Sequence, residues 1–371
     1  MDDERAKEIA EEEAERARMA IPAPPISQEE FLAWRSPRNA DFNPARLDNP
    51  LWQWMVQTRQ DAYNANSKFD GPSSFDAGPM WCFQRFGMSE TTLPDGRIVY
   101  IAGEHEDYYD PDFHIYNDVI VVSPSGEIAM YGYPVKDFAP TDFHSATLVG
   151  DAIYVIGSLG HPEQRNAGIT PVYRLELASM KISAVATIGD GPGWISRHCG
   201  KLSDDNSSII VSGGEIWTSA EQPTRENIDS WALNIANGEW RRLTENNWQH
   251  WFVRREDRQP MRFWDTRQEQ WLADHKGMGI ESYWRHAEPP NLAALNRLYR
   301  FDHGVAAPAE GPKYNEFSVT IDGLLTRFRE GSCWLEIIVE GQLTRQRLAS
   351  LQSHLLEFCS QLESSPCVTV S

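Results

Sequence analysis

The segment Glu104-His105-Glu106-Asp107-Tyr108-Tyr109-Asp110-Pro111-Asp112 packs five carboxylates and a histidine into nine residues. A hard cation takes oxygen ligands, and Glu104, Glu106, Asp110 and Asp112 could supply them. The spacing of a calcium loop is absent, however, and so is the glycine such a loop needs, so no metal is assigned. Two readings remain. The run Glu104, His105, Glu106 and Asp107 is either an acidic patch for a basic partner or a solvated loop. A second group comprises His144, Trp194, Arg197 and His198. Imidazole, guanidinium and indole together can anchor a ligand, and the imidazoles have the chemistry for acid–base work. The competing reading is that each histidine bonds a neighbouring loop and only holds the fold.

Other motifs say less. Gly189-Asp190-Gly191-Pro192-Gly193 is glycine-rich but lacks the Lys-Ser/Thr and the helix of a phosphate loop. Gly157-Ser158-Leu159-Gly160 lacks the spacing of a hydrolase elbow. Nothing points to a cofactor. The five cysteines, Cys82, Cys199, Cys333, Cys359 and Cys367, are odd in number and form no CxxC pair. That argues against a disulfide framework or a zinc knuckle and for a reducing compartment.

Charge narrows the partners. The 371 residues carry 34 Lys+Arg against 54 Asp+Glu, a net −20. Such a chain repels phosphate backbones, so nucleic acid and anionic membrane surfaces are expected to be excluded. A basic protein partner fits. No signal peptide is visible at Met1-Asp2-Asp3-Glu4, and the longest apolar runs are strand-sized. The expected location is cytoplasmic.

The elements that position these residues change along the chain. Residues 1–70 read as a helical N-terminal arm. Glu12–Arg16 and Glu15–Arg18 support a polar helix, and Pro22, Pro24 and Pro25 end it. Ser27-Gln28-Glu29-Glu30 is a capping box, and Asn49-Pro50-Leu51 opens a helix running to about Asn64.

From residue 75 to 245 the chain reads as short strands with internal self-similarity. Thr91-Thr92-Leu93…Ile98-Val99-Tyr100-Ile101-Ala102-Gly103 recurs as His144-Ser145-Ala146-Thr147-Leu148…Ile153-Tyr154-Val155-Ile156-Gly157. It recurs again as His198-Cys199-Gly200-Lys201-Leu202…Ile209-Ile210-Val211-Ser212-Gly213-Gly214. Leu93, Leu148 and Leu202 stand 55 and 54 residues apart. Each unit continues with a second strand pair that begins at Asn117-Asp118-Val119, Pro171-Val172-Tyr173 or Ser230-Trp231-Ala232. The third closes on Trp240. Four strands per unit is one propeller blade.

Over about residues 80–243 this order resembles the kelch repeat. The resemblance implies a mainly β, kelch-like β-propeller with three recognisable blades. It is a statement about fold, and kelch propellers carry many unrelated functions. Three blades cannot close a ring, because each blade buries its faces against neighbours. A homodimer of two such chains would be one way to close it.

Residues 246–305 are rich in Trp and Arg and read either as a degenerate blade or as helices. Residues 312–371 read as a small β-β-β-α module. Asp322-Gly323 marks a hairpin, and apolar residues from Leu343 to Leu362 recur at helical spacing.

The functional expectation is a non-catalytic protein-interaction protein of the bacterial cytosol. It would bind a basic partner through propeller loops and acidic surface, in one concrete version as an antitoxin or immunity protein. The alternative is a kelch-like sugar-binding or sugar-isomerising enzyme using the propeller axis, with His144, Arg197 and His198 as its working groups.

Overall fold

A computed structural model describes residues 2–106, 112–244, 247–274, 291–302, 304–309 and 315–370. The protein is mainly β, with several antiparallel sheets. It divides into two compact units, Met1–Thr244 and Glu245–Ser371.

Three sheets of the N-terminal unit repeat one connectivity. The first contains Ser89–Thr92, Ile98–Ile101, Val119–Val122 and Ile128–Gly132, with Ala45–Arg46 added at its edge. The second contains Ser145–Val149, Ala152–Ile156, Val172–Glu176 and Ile182–Ala184. The third contains Cys199–Leu202, Ser208–Ser212, Ser230–Asn234 and Trp240–Arg242. In each, neighbours in sequence pair antiparallel, so the chain steps across the sheet strand by strand.

The apolar runs read in the sequence are the buried middle strands. Val99, Ile101, Val119 and Val121 share a core with Ile153, Val155 and Leu175. Tyr154, Ile156 and Val172 share the next with Ile209, Val211 and Leu233. A full layer of such side chains lies between successive sheets. Each contributes about 1.5–3 kcal/mol on burial.

The glycine that ends each middle strand has a specific cause at Gly157. Its φ is +78°, and a Cβ there would lie 2.3 Å from the Ile195 carbonyl and 2.6 Å from the His198 ring. Only a residue without a side chain lets the next sheet approach that closely.

The outer face of the first sheet is covered by the N-terminal helices. Ser27 and Glu30 form the capping box that starts the Gln28–Trp34 helix. Asn49 caps the Pro50–Thr58 helix by accepting from the Trp52 N–H. That helix ends at Arg59, which sits in the left-handed region, and a separate helix runs Ala62–Lys68, where the sequence suggested one continuous helix to about Asn64. Phe31, Leu51, Trp52 and Met55 bury against Trp81, Tyr100, Tyr116, Ile120 and Met130. Trp52 and Trp81 stack at 4.8 Å. The polar Asp2–Met19 helix is mostly exposed.

The C-terminal unit begins earlier than a module at 312–371. Gln249–Arg255, in the segment read as blade or helix, is a strand inserted between Leu335–Val339 and Cys367–Val370. With Glu316–Ile321, Leu324–Glu330 and Ala307–Pro308 it completes a six-stranded sheet. Helices Phe263–Asp274 and Leu292–Leu298 follow that strand. The Arg345–Glu363 helix buries Leu351, Leu355, Cys359 and Leu362 in a core with Ile337, Val339 and Phe328. Alternation hid the strand role of 249–255, because its buried Trp251, Phe252 and Val253 are contiguous, as befits a central strand.

No helix of the described residues is long and apolar enough to cross a membrane. All five cysteines are free.

Candidate functional site

The two histidines singled out by the repeat lie between sheets. His144 Nε2 is 2.8 Å from the Ser89 hydroxyl, and His198 Nε2 is 2.9 Å from the Ser145 hydroxyl. Each therefore links the first strand of its own sheet to the first strand of the preceding one. Both are buried. Burial pushes His144 down to about 3, with a further push from His198, and burial pushes His198 down to about 4. The imidazoles are neutral at physiological pH. The Ser89 that stands where the other units have histidine is thus the hydroxyl partner in the first link.

A different group gathers at the loop end of the same unit. Strand Glu104–His105 pairs with His114–Ile115 and places the Glu104 side chain beside Asp142. Burial first, and then the Asp142 carboxylate, push Glu104 up to about 7; Arg197 opposes the shift and Glu106 adds to it. Asp142 is fully buried. Its Oδ1 accepts from the Gly160 N–H at 2.7 Å and the Ser158 hydroxyl at 3.2 Å. Its Oδ2 is buried and accepts from no backbone N–H, hydroxyl or cation among the described residues, so that the Glu104 carboxyl, when protonated, is the donor beside Asp142. Gly160 can make this contact because its φ is +63°.

The surrounding walls are cationic and aromatic. Arg197 (φ +57°) lies 3.7 Å over the Phe143 ring and 4.0 Å from Glu215, with its side chain 47% exposed. Trp194 donates its indole N–H to the Leu159 carbonyl at 3.0 Å. Arg165 is occupied by the Leu159 and Gly160 carbonyls and lies 5.9 Å from the Trp217 ring. These bonds fix the loop that presents Ser158 and Gly160 to Asp142.

Of the residues picked from sequence, the structure brings Glu104, Glu106 and Arg197 into one electrostatic group. Trp194 braces the adjoining loop. His105 is buried, with Nδ1 3.0 Å from the Gln84 carbonyl. His144 and His198 lie apart from this group in the inter-sheet links. Asp107 lies outside the described residues, as does Asp110. Asp142 was missed. The signal that could have found it is the repeat itself: the position two before His144 is Asp, where the third unit has Ser196 and the first has Gly87.

Asp118 was also missed. Arg85 donates to both its oxygens, the second at 2.9 Å, and to the Cys82 and Ala102 carbonyls. Trp81 donates to the same carboxylate at 3.0 Å, and the guanidinium lies 3.4 Å over Tyr116. Every polar group in this cluster is engaged, so its role is to tie the helical region to the first sheet.

Chemically, a buried carboxylate beside a half-buried carboxyl near neutrality can hold either one proton or one cation. Among the described residues, no group of three or more His, Cys, Asp or Glu side chains is placed to hold a metal ion. No family model matches the chain, and no curated protein matches it. Among solved structures, one described as "Structure of YjhT" aligns over 42% of this chain and 54% of its own, with a TM-score of 0.32 and 14% identity. The chain thus spans about half the length of the structure it matches.

Proposed function

We propose that the three repeated sheets are kelch-like propeller blades and that the protein is a non-catalytic interaction protein. Its loop end captures a cationic side chain of a basic protein partner. The observation that carries this reading is the Glu104–Asp142 pair, in which Asp142 Oδ2 is buried with no cation bonded to it and only a second carboxyl beside the pair. An inserted guanidinium or ammonium would satisfy that oxygen and offset the burial and repulsion that together raise Glu104. The net −20 would steer a basic protein toward the chain. An immunity-type role against a basic toxin is one concrete form of the same reading, and charge is its support.

The enzyme alternative draws support from the surroundings of Glu104, where burial and Asp142 push the carboxyl up to about 7, the range of a general acid or base. In that reading Glu104 and Asp142 would be the working pair, because the two imidazoles are held in inter-sheet bonds.

The test is calorimetric titration of the full chain with a short oligo-arginine peptide at low salt. Saturable binding is expected, weakened about tenfold or more in Glu104→Gln and in Asp142→Asn. Equal affinity of parent and both variants would overturn the reading.

A further inference from the structure

A second cleft lies on the opposite kind of surface and does not depend on the loop-end reading. It opens between the end of the Asp2–Met19 helix, the end of the Pro50–Thr58 helix and the first sheet, with a volume of about 540 Å³. Its floor is apolar: Val56, Phe83 and Ile128 are buried, and Ile21 and Val122 are half-buried. Its rim carries two guanidiniums, Arg18 and Arg59. No carboxylate lines it among the described residues. In a chain with 54 acids against 34 bases, that arrangement is a local reversal of charge.

The two arginines are placed by backbone events already described. Arg18 stands in the last turn of its helix. Arg59 is the residue in left-handed conformation that ends the Pro50–Thr58 helix. Arg59 meets the Tyr100 hydroxyl, which Glu90 also reaches from the strand side. No ion pair holds Arg18 among the described residues, whereas Arg16, two residues earlier, bonds Glu12 at 3.1 Å.

We propose that this cleft binds a small amphipathic monoanion of the medium-chain carboxylate type. The tail would cover Val56, Phe83, Val122 and Ile128, and the carboxylate would sit between Arg18 and Arg59. The volume falls within the roughly 300–1,000 Å³ of small-molecule sites, and an apolar floor with few convergent charges is their usual lining. Charge complementarity selects an anion, and the single cationic rim selects one charged end.

The probes are decanoate and decanol, which share a chain and differ in charge, titrated into the full chain by calorimetry. Decanoate is expected to bind saturably and about tenfold more tightly than decanol. Arg18→Gln with Arg59→Gln is expected to erase that preference while circular dichroism stays unchanged. Val122→Phe, which fills the floor, is expected to weaken both ligands. Absence of saturable decanoate binding, equal affinity for the two probes in the parent, or an unchanged preference in the arginine variant would overturn the proposal. None of these variants touches Glu104 or Asp142, so failure here leaves the loop-end reading standing.

Discussion

The two units treat buried carboxylates differently. In the C-terminal unit Glu316, Glu330, Glu336 and Glu363 are buried, and each meets a cation. Arg327 reaches Glu316 at 3.5 Å, Arg267 reaches Glu330 at 2.9 Å, Arg329 reaches Glu336 at 2.5 Å and Arg255 reaches Glu363 at 3.5 Å. His250 adds a second contact to Glu336, and Tyr299 adds one to Glu330. In the N-terminal unit Asp118 follows the same rule through Arg85. Asp142 breaks it. A second carboxyl, Glu104, stands beside it, and the nearby Arg165 spends its hydrogen bonds on carbonyls. Desolvating a carboxylate costs several kcal/mol unless a donor compensates. The chain supplies that donor where the carboxylate only holds the fold. At the loop end it supplies neutral donors to Oδ1 alone and no bonded cation, which is where an external cation could serve.

The comparison breaks first if the paired acids prove dispensable. Arg329→Met leaves Glu336 buried with less compensation, and the C-terminal unit should lose about 3–5 kcal/mol in urea unfolding. A loss below about 1 kcal/mol would mean that the pairing is incidental.

A smaller effect is expected from the inter-sheet links. His198→Ala removes the bond to Ser145 and opens a void, for a loss of about 1–3 kcal/mol. The sign with pH follows from the lowered values. His198 stays neutral in the fold down to about 4 but protonates near 6.5 when unfolded. Stability contributed by the neutral imidazole is therefore present above about 6.5 and lost as pH falls toward 4. The variant should show a flatter stability profile across that window, and a parallel profile would show that the link does not matter.

The sequence made the repeat legible because the strand ends, turns and buried middle strands recur at nearly fixed spacing. Gly157 shows why: the next sheet's Ile195 and His198 leave no room for a side chain, so the pattern has a steric cause that each unit must meet. The loop end was half legible. Glu104 and Arg197 stand out by charge and by repeat position, but Asp142 faces them only after three loops converge. A lone acid beside a positive-φ phenylalanine carries no local period to reveal it. The 249–255 strand was hidden for a related reason. Its pairing partners are 88 and 118 residues away, as His250–Ile338 and Phe252–Val370 show, so no local hairpin signal marks it.

The central claim is that the Glu104–Asp142 pair lacks a directly bonded cation, which a basic partner supplies. Its most direct measurement is the carboxyl titration of Glu104, followed by carbon-detected NMR in the free chain and with an oligo-arginine peptide bound. The account expects a midpoint near 7 in the free chain, falling below about 5 when the peptide is present. A free-chain midpoint already at the ordinary carboxylate value, or one that the bound peptide leaves at about 7, would contradict it.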